Sequence, residues 1–206
     1  EGVSGDPAGD GAKQVQESIG AILTRQSSGG GFGLWSADSG DTWLDAYVTD
    51  FLSRARAAGY QVPDQAFDMA IGNLRNRVNY AGDPQHAPAE ENAALAYALA
   101  VLARERAATV GDLRYYADTA AGQFSTPMAA ANLGAALASY GDQLRADRMF
   151  RQAAEQVQLD TAPPYAYRSD YGTALRDAAA LLAIAADART EAIDLTDLTN
   201  RVSERI

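Results

Sequence analysis

The chain has 206 residues, room for one ordinary domain and little more. Apolar residues make up 47% and charged residues 21%, a globular composition rather than a disordered one. Seventeen basic against 27 acidic side chains leave a formal charge of −10, which disfavours nucleic acid and anionic membranes as partners, and the lack of any cysteine excludes disulfides, thiolate metal sites and a cysteine nucleophile.

Residues 1–12, mostly Gly, Asp, Ala and Ser, read as a flexible lead-in. Glu1 to Pro7 has no initiator Met, no basic start and no apolar stretch, so it is no signal peptide, and the chain reads as an excised piece of a longer protein. Val15, Ile19, Ile22 and Leu23 then recur at helical spacing and predict a helix from about Lys13 to Gln26. Ser27 to Gly31 ends it, and Phe32-Gly33-Leu34-Trp35 is too short and glycine-rich for a strand or helix. Asp41-Thr42 is an N-cap pair opening an amphipathic helix to about Ala58, with Gly59 as its stop.

Further helices are expected at 64–80, 90–107, 113–121, 128–140, 143–157, 171–186 and 194–204. The amphipathic ones (41–58, 64–80, 143–157) suit an outer, half-wet layer. The Ala/Leu-rich ones (90–107, 128–140, 171–186) suit an inner, buried layer. The expected fold class is all-α, with no convincing strand: helical hairpins in a solenoid or in a closed α/α ring.

The segment Gly29 to Tyr47 holds both tryptophans and the aspartates Asp38, Asp41 and Asp45. Its aromatics make either a ligand platform or, more simply, a plug in which Phe32 and Trp35 close the end of a helical layer. The aspartates make a weak acid/base or calcium candidate, but Asp41 fits better as a helix cap and Asp45 as an acid in the first turn. His86 is the only histidine, too few for a histidine metal site, and reads as a solvated loop residue or a weak general base. No nucleophile elbow, phosphate loop or dinucleotide fingerprint is present, and no metal site or cofactor is expected. The residues alone stop at an all-α interaction or inhibitor domain.

Gly30-Gly31-Phe32-Gly33-Leu34-Trp35, then Thr42-Trp43-Leu44-Asp45-Ala46-Tyr47-Val48-Thr49-Asp50-Phe51-Leu52, resembles the thioester domain of the α2-macroglobulin family, with Asp45 where Thr is usual. Arg54 to Pro63 and Ser169 to Asp177 look like the bacterial branch. The resemblance implies an α/α-toroid, present over residues 13–206 as an incomplete ring that lacks the Cys-x-Glu-Gln motif. It implies a fragment of a bait-and-trap protease inhibitor rather than an enzyme. Its partners would be the rest of the macroglobulin chain and the target proteases, in the periplasm or cell envelope, with the membrane reached only through a lipid anchor on the parent. Trp35, Trp43, Tyr47 and Tyr80 would then be structural or thioester-shielding aromatics, and His86 a weak acyl-transfer candidate.

Two readings compete. A tetratricopeptide-like binding scaffold is suggested by Asn132 to Leu137, Tyr140-Gly141-Asp142 and Phe150 to Glu155, although no second copy follows at a 34-residue period. An (α/α)-barrel enzyme acting on a glycan or isoprenoid would need acids converging on a pocket, with Asp38 to Asp45 as the source.

Overall fold

A computed structural model describes residues 7–35, 37, 40–157 and 172–205. Among these residues there are nine α-helices and no strand: α1 (Pro7–Leu23), α2 (Thr42–Ala57), α3 (Asp64–Asn79), α4 (Ala89–Arg104), α5 (Val110–Thr119), α6 (Pro127–Ser139), α7 (Gln143–Glu155), α8 (Ala174–Asp187) and α9 (Leu195–Ser203). None is long and apolar enough to cross a membrane.

The first helix starts at Pro7, inside the lead-in expected over residues 1–12. Proline is tolerated in a first helical turn, where its missing N–H has no helical partner anyway, and the glycines that follow weaken a helix without forbidding it. The same helix stops at Leu23, because Gln26 turns back to form an isolated antiparallel bridge with Phe32.

Helices α2, α4, α6 and α8 pack side by side in one row, each against the next. The remaining partners cover the row from outside: α3 lies on α2 and α4, α5 and α7 on α6, and α9 on α8. This is the helical-hairpin arrangement of an α/α-toroid, present as an incomplete ring. The amphipathic pattern of α2 had suggested the outer layer, yet α2 stands in the inner row. Its buried positions mix Asp45, Thr49, Asp50 and Ser53 with Ala46, Leu52 and Ala55, so hydropathy alone misreads it.

Every inner helix ends in the same cap. After α2, Gly59 is left-handed at φ 89°, and the N–H groups of Gly59 and Tyr60 bond back to Arg56 and Ala55 at 3.0 Å. Gly141 repeats this after α6 with bonds to Ala138 and Leu137 at 2.9 and 3.0 Å. Arg106 and Arg189 repeat it after α4 and α8, at φ 59° and 52°. Two nested bonds, both from N–H groups beyond the helix end, satisfy orphan carbonyls and turn the chain sharply towards the next helix. Small residues bring the layers together. On α6, a Cβ added at Gly134 would stand 3.3 Å from Met149 Cβ and the Phe150 ring, so glycine here is what lets α7 approach. Ala96, Ala98, Ala130 and Ala131 are fully buried on α4 and α6.

Candidate functional site

The N-terminal ends of the inner helices gather at one end of the row. A tight turn leads up to it. Ser27 N–H bonds to Gly31 O at 2.9 Å, Gly30 N–H to Ser27 O at 3.0 Å, and Gly31 N–H to Ser27 Oγ at 3.1 Å. Gln26 Nε2 donates to the Ala66 carbonyl at 2.8 Å, which moors the turn to α3. Gly30 is left-handed at φ 89°, and a Cβ there would fall 2.0 Å from the Met69 carbonyl oxygen. Only glycine fits that contact.

Asp45 fixes the far side of the turn. Its carboxylate is fully buried and accepts from Phe32 N–H at 2.7 Å, Asn73 Nδ2 at 2.8 Å and Arg77 Nε at 3.2 Å. The first-turn placement read from sequence is correct, but the carboxylate faces inward and joins the glycine turn, α2 and α3. Asn73 and Arg77 were missed; their four-residue spacing puts both on one helical face, yet nothing local says what that face meets. Asp41 caps α2 as expected, accepting from Trp43 N–H at 2.9 Å and Leu44 N–H at 3.1 Å. Asp38 lies outside the described residues. Asp41 and Asp45 therefore hold backbone and side-chain donors and do not form a convergent acid pair. Among the described residues no group of three metal-binding side chains comes together.

The plug reading holds for Phe32, which is 2% exposed, and fails for Trp35, which is 96% exposed. The reversal follows from the path of the chain. Phe32 is turned inward by the hydrogen bond of its own N–H to Asp45, and the chain then runs outward through Leu34, whose carbonyl accepts from Arg25 Nη1. Trp43 stacks on Tyr47, one turn along α2, with ring centroids 5.2 Å apart and planes 8° from parallel, and its ring centroid lies 6.3 Å from that of Tyr97, the planes tilted by 58°. Tyr80 caps the C-terminus of α3 and is 87% exposed.

A groove of about 750 Å3 opens between the Gly40–Leu44 corner, the end of α3 and the start of α4. Trp43 and Tyr80 line it; Trp35, Tyr47 and His86 do not. The ring of His86 stands in solvent with Nδ1 2.9 Å from Asp83 Oδ2. Asp83 also accepts from Gln85 N–H at 3.0 Å. That backbone bond, then the bond to His86, holds the Asp83 carboxyl below its usual range. Nothing in this turn presents a nucleophile to His86.

A second polar cluster, missed in the sequence, crosses from α2 to α4. Asp50 accepts from Tyr97 Oη at 2.9 Å and Arg54 Nε at 3.0 Å, and pairs with Arg104. Ser53 donates to Glu105 and accepts from Arg104 Nε at 3.0 Å. Burial first, and the Asp50 carboxylate second, push the Tyr97 hydroxyl above the ordinary tyrosine range. This cluster is satisfied and closed, a packing device between the two helices rather than a reactive centre.

No family model matches the chain. The α2-macroglobulin of Escherichia coli K12 is 31% identical over 217 aligned residues, which span 99% of this chain and 12% of that protein. The native conformation of E. coli α2-macroglobulin, seen by cryo-EM, superposes with a TM-score of 0.83 at 29% identity, over 98% of this chain and 13% of that one. A crystal structure of the same protein from domain MG7 to the C-terminus superposes with a TM-score of 0.81 at 28% identity, over 98% of this chain and 32% of that one. The chain thus spans about an eighth of the full-length relatives and falls within their C-terminal portion. Matched in sequence and in structure along nearly its whole length, the chain belongs to the bacterial α2-macroglobulin family.

Proposed function

We propose that this chain is a segment of a broad-spectrum protease-trapping inhibitor and forms part of the wall around that inhibitor's thioester. The carrying observation is the near-complete superposition on α2-macroglobulin in its native conformation. Other matching structures are described as E. coli α2-macroglobulin activated by trypsin and by porcine elastase, and as Salmonella α2-macroglobulin reacted with methylamine. A protein activated by two different proteases fits a trap better than an inhibitor fitted to one active site. Methylamine is an amine nucleophile of the kind that opens a thioester.

This chain has no cysteine, so it supplies no thioester sulfur. Its contribution is a wall. A thioester survives only where water and stray amines are kept away, and apolar rings excluding water suit that task. Trp43 and Tyr80 line the groove, Tyr47 backs Trp43, and Trp35 stands exposed where a neighbouring domain of the parent would cover it. The partners are the remainder of the macroglobulin and its target proteases. The location is the periplasm or cell envelope, with a lipid anchor on the parent as the membrane link. His86, solvated and tied to Asp83, acts in no acyl transfer on this reading.

The test uses the longer polypeptide that carries this segment. It is incubated with trypsin and with elastase, and residual activity is measured on a large protein and on a small peptide. Trapping blocks cleavage of the large substrate and spares the small one with both proteases. Equal loss on both substrates, or action on one protease alone, overturns the proposal. Methylamine treatment that releases one thiol establishes the thioester.

A further inference from the structure

A second, much smaller space lies between the four inner helices. It measures about 10 Å3, and its lining includes Trp43 of α2, Tyr97 of α4, Thr126 and Asn132 of α6 and its cap, and Arg176 of α8. A water needs about 10–15 Å3, so the space takes one water and no organic ligand. Most of its polar lining is already engaged. Tyr97 Oη donates to Asp50 at 2.9 Å, Arg176 Nη2 donates to Asp177 at 2.8 Å, and Thr126 Oγ1 accepts from Ala129 N–H at 3.2 Å. Asn132 differs. It is the one polar side chain between Met128 and Ala138. It is 6% exposed, lines the space, and its carboxamide has no hydrogen-bond partner among the described residues. A bare buried amide is unfavourable, and such groups are met by protein or by an ordered water. Two neighbours in the lining can share that water: the Tyr97 oxygen keeps a lone pair, and the Thr126 hydroxyl keeps its proton.

We propose that the Asn132 carboxamide binds one internal water in this space, and that the Trp43 indole seals it from the groove. Trp43 is the one described residue that lines both the groove and this cavity. Its ring is held in place by Tyr47, stacked at 5.2 Å, and by Tyr97, whose centroid lies 6.3 Å away. A ring fixed on two sides makes a partition. The water gives Asn132 the partner that side chains do not, and it ties α6 to its neighbours across the inner row. The seal keeps that water on the far side of the indole from the groove, in keeping with a wall that excludes water. The site rests on the packing of the inner row alone and stands or falls independently of the trap reading.

The test uses the isotope-labelled 206-residue chain, with nuclear Overhauser contacts from water recorded in the laboratory and rotating frames. Contacts to the Asn132 side-chain amide, of opposite sign in the two frames, mark a water that stays beyond the nanosecond range and are the expected result. A crystal structure of the same chain should place one water about 2.7–3.2 Å from a polar atom of Asn132. Asn132→Leu removes both signals. Trp43→Ala joins the cavity to the groove, and the Overhauser contact then changes sign or disappears. Tyr80→Ala opens the groove alone and leaves the contact intact. Circular dichroism confirms that each variant is folded. Trp43→Leu replaces Trp43→Ala where the latter unfolds, and the wild-type measurements decide the water site without any variant. A dry cavity that takes up xenon in the crystal, an Asn132 carboxamide bonded to a protein group, or a water that persists in Asn132→Leu overturns the site. A long-lived contact unchanged in the folded Trp43 variant overturns the seal.

Discussion

Removing the Asp45 carboxylate tests whether one buried group holds the glycine turn to the helical row. Asp45→Ala leaves the Phe32 N–H without the acceptor now at 2.7 Å, and it strips Asn73 and Arg77 of a shared partner. An orphaned buried N–H costs about 1–3 kcal/mol. Losing one member of a buried ion pair costs about 3–5 kcal/mol, but the Arg77 side chain is 27% exposed and recovers some hydration. The two terms overlap, and about 3–4 kcal/mol is the expected total. Asp45→Asn keeps one acceptor for Phe32 but turns an amide donor towards Asn73 and Arg77, so about 2–3 kcal/mol is expected. Urea unfolding followed by circular dichroism gives both values. Hydrogen exchange at the Phe32 amide supplies a local readout, since that N–H should exchange faster than its neighbours in either variant. An Asp45→Ala protein that unfolds within about 1 kcal/mol of wild type, with Phe32 still protected, refutes the argument.

The other perturbations separate positions that look alike in the sequence. Gly30→Ala forces a Cβ to 2.0 Å from the Met69 carbonyl and should cost at least about 3 kcal/mol, whereas Gly141→Ala, also left-handed but with nothing within 4 Å, should cost about 1 kcal/mol by the same urea measurement. Phe32→Ala should lose about 3–5 kcal/mol and Trp35→Ala stay within about 0.5 kcal/mol, although the two aromatics stand three residues apart. Arg189→Gly relieves a left-handed residue at φ 52° and should raise stability by about 0.5–1 kcal/mol. Arg106→Gly should gain less, because Arg106 Nη1 also donates to Ser139 O at 2.6 Å. Hydrogen bonds from Arg145, then Arg148, hold the Asp118 carboxyl at about 2, below its ordinary 3.8. Its contribution is therefore complete above about pH 4 and vanishes as the pH falls towards 2. The difference in urea midpoint between wild type and Asp118→Asn should be full at neutral pH and shrink through that window.

The comparison between Phe32 and Trp35 shows where sequence reasoning stops. Composition favours burying both rings, and which of them turns inward is decided by tertiary contacts, among them the hydrogen bond from Phe32 N–H to Asp45. The inner helices α4 and α6 were legible, since the Ala- and Leu-rich runs Ala93–Ala103 and Met128–Ala138 leave no continuous polar face. The mixed buried face of α2 was not, because Asp45, Thr49, Asp50 and Ser53 are buried by partners 28 to 54 residues away as well as by near neighbours. The common cap after every inner helix was half visible: Gly59 and Gly141 announce a left-handed residue, and Arg106 and Arg189 do not.

By itself the sequence determined the all-α class, the helix positions, the Asp41 cap and the family pattern running from Gly30 to Leu52. These depend on local spacing and on backbone preferences, which a single segment carries within itself. Only the tertiary structure decided that Asp45 is a buried pin rather than a surface acid. It also decided that Trp43 and Tyr80 share a groove while Trp35 and His86 stand outside it. Those outcomes depend on which helices meet end to end, and that is set by the packing of the whole row.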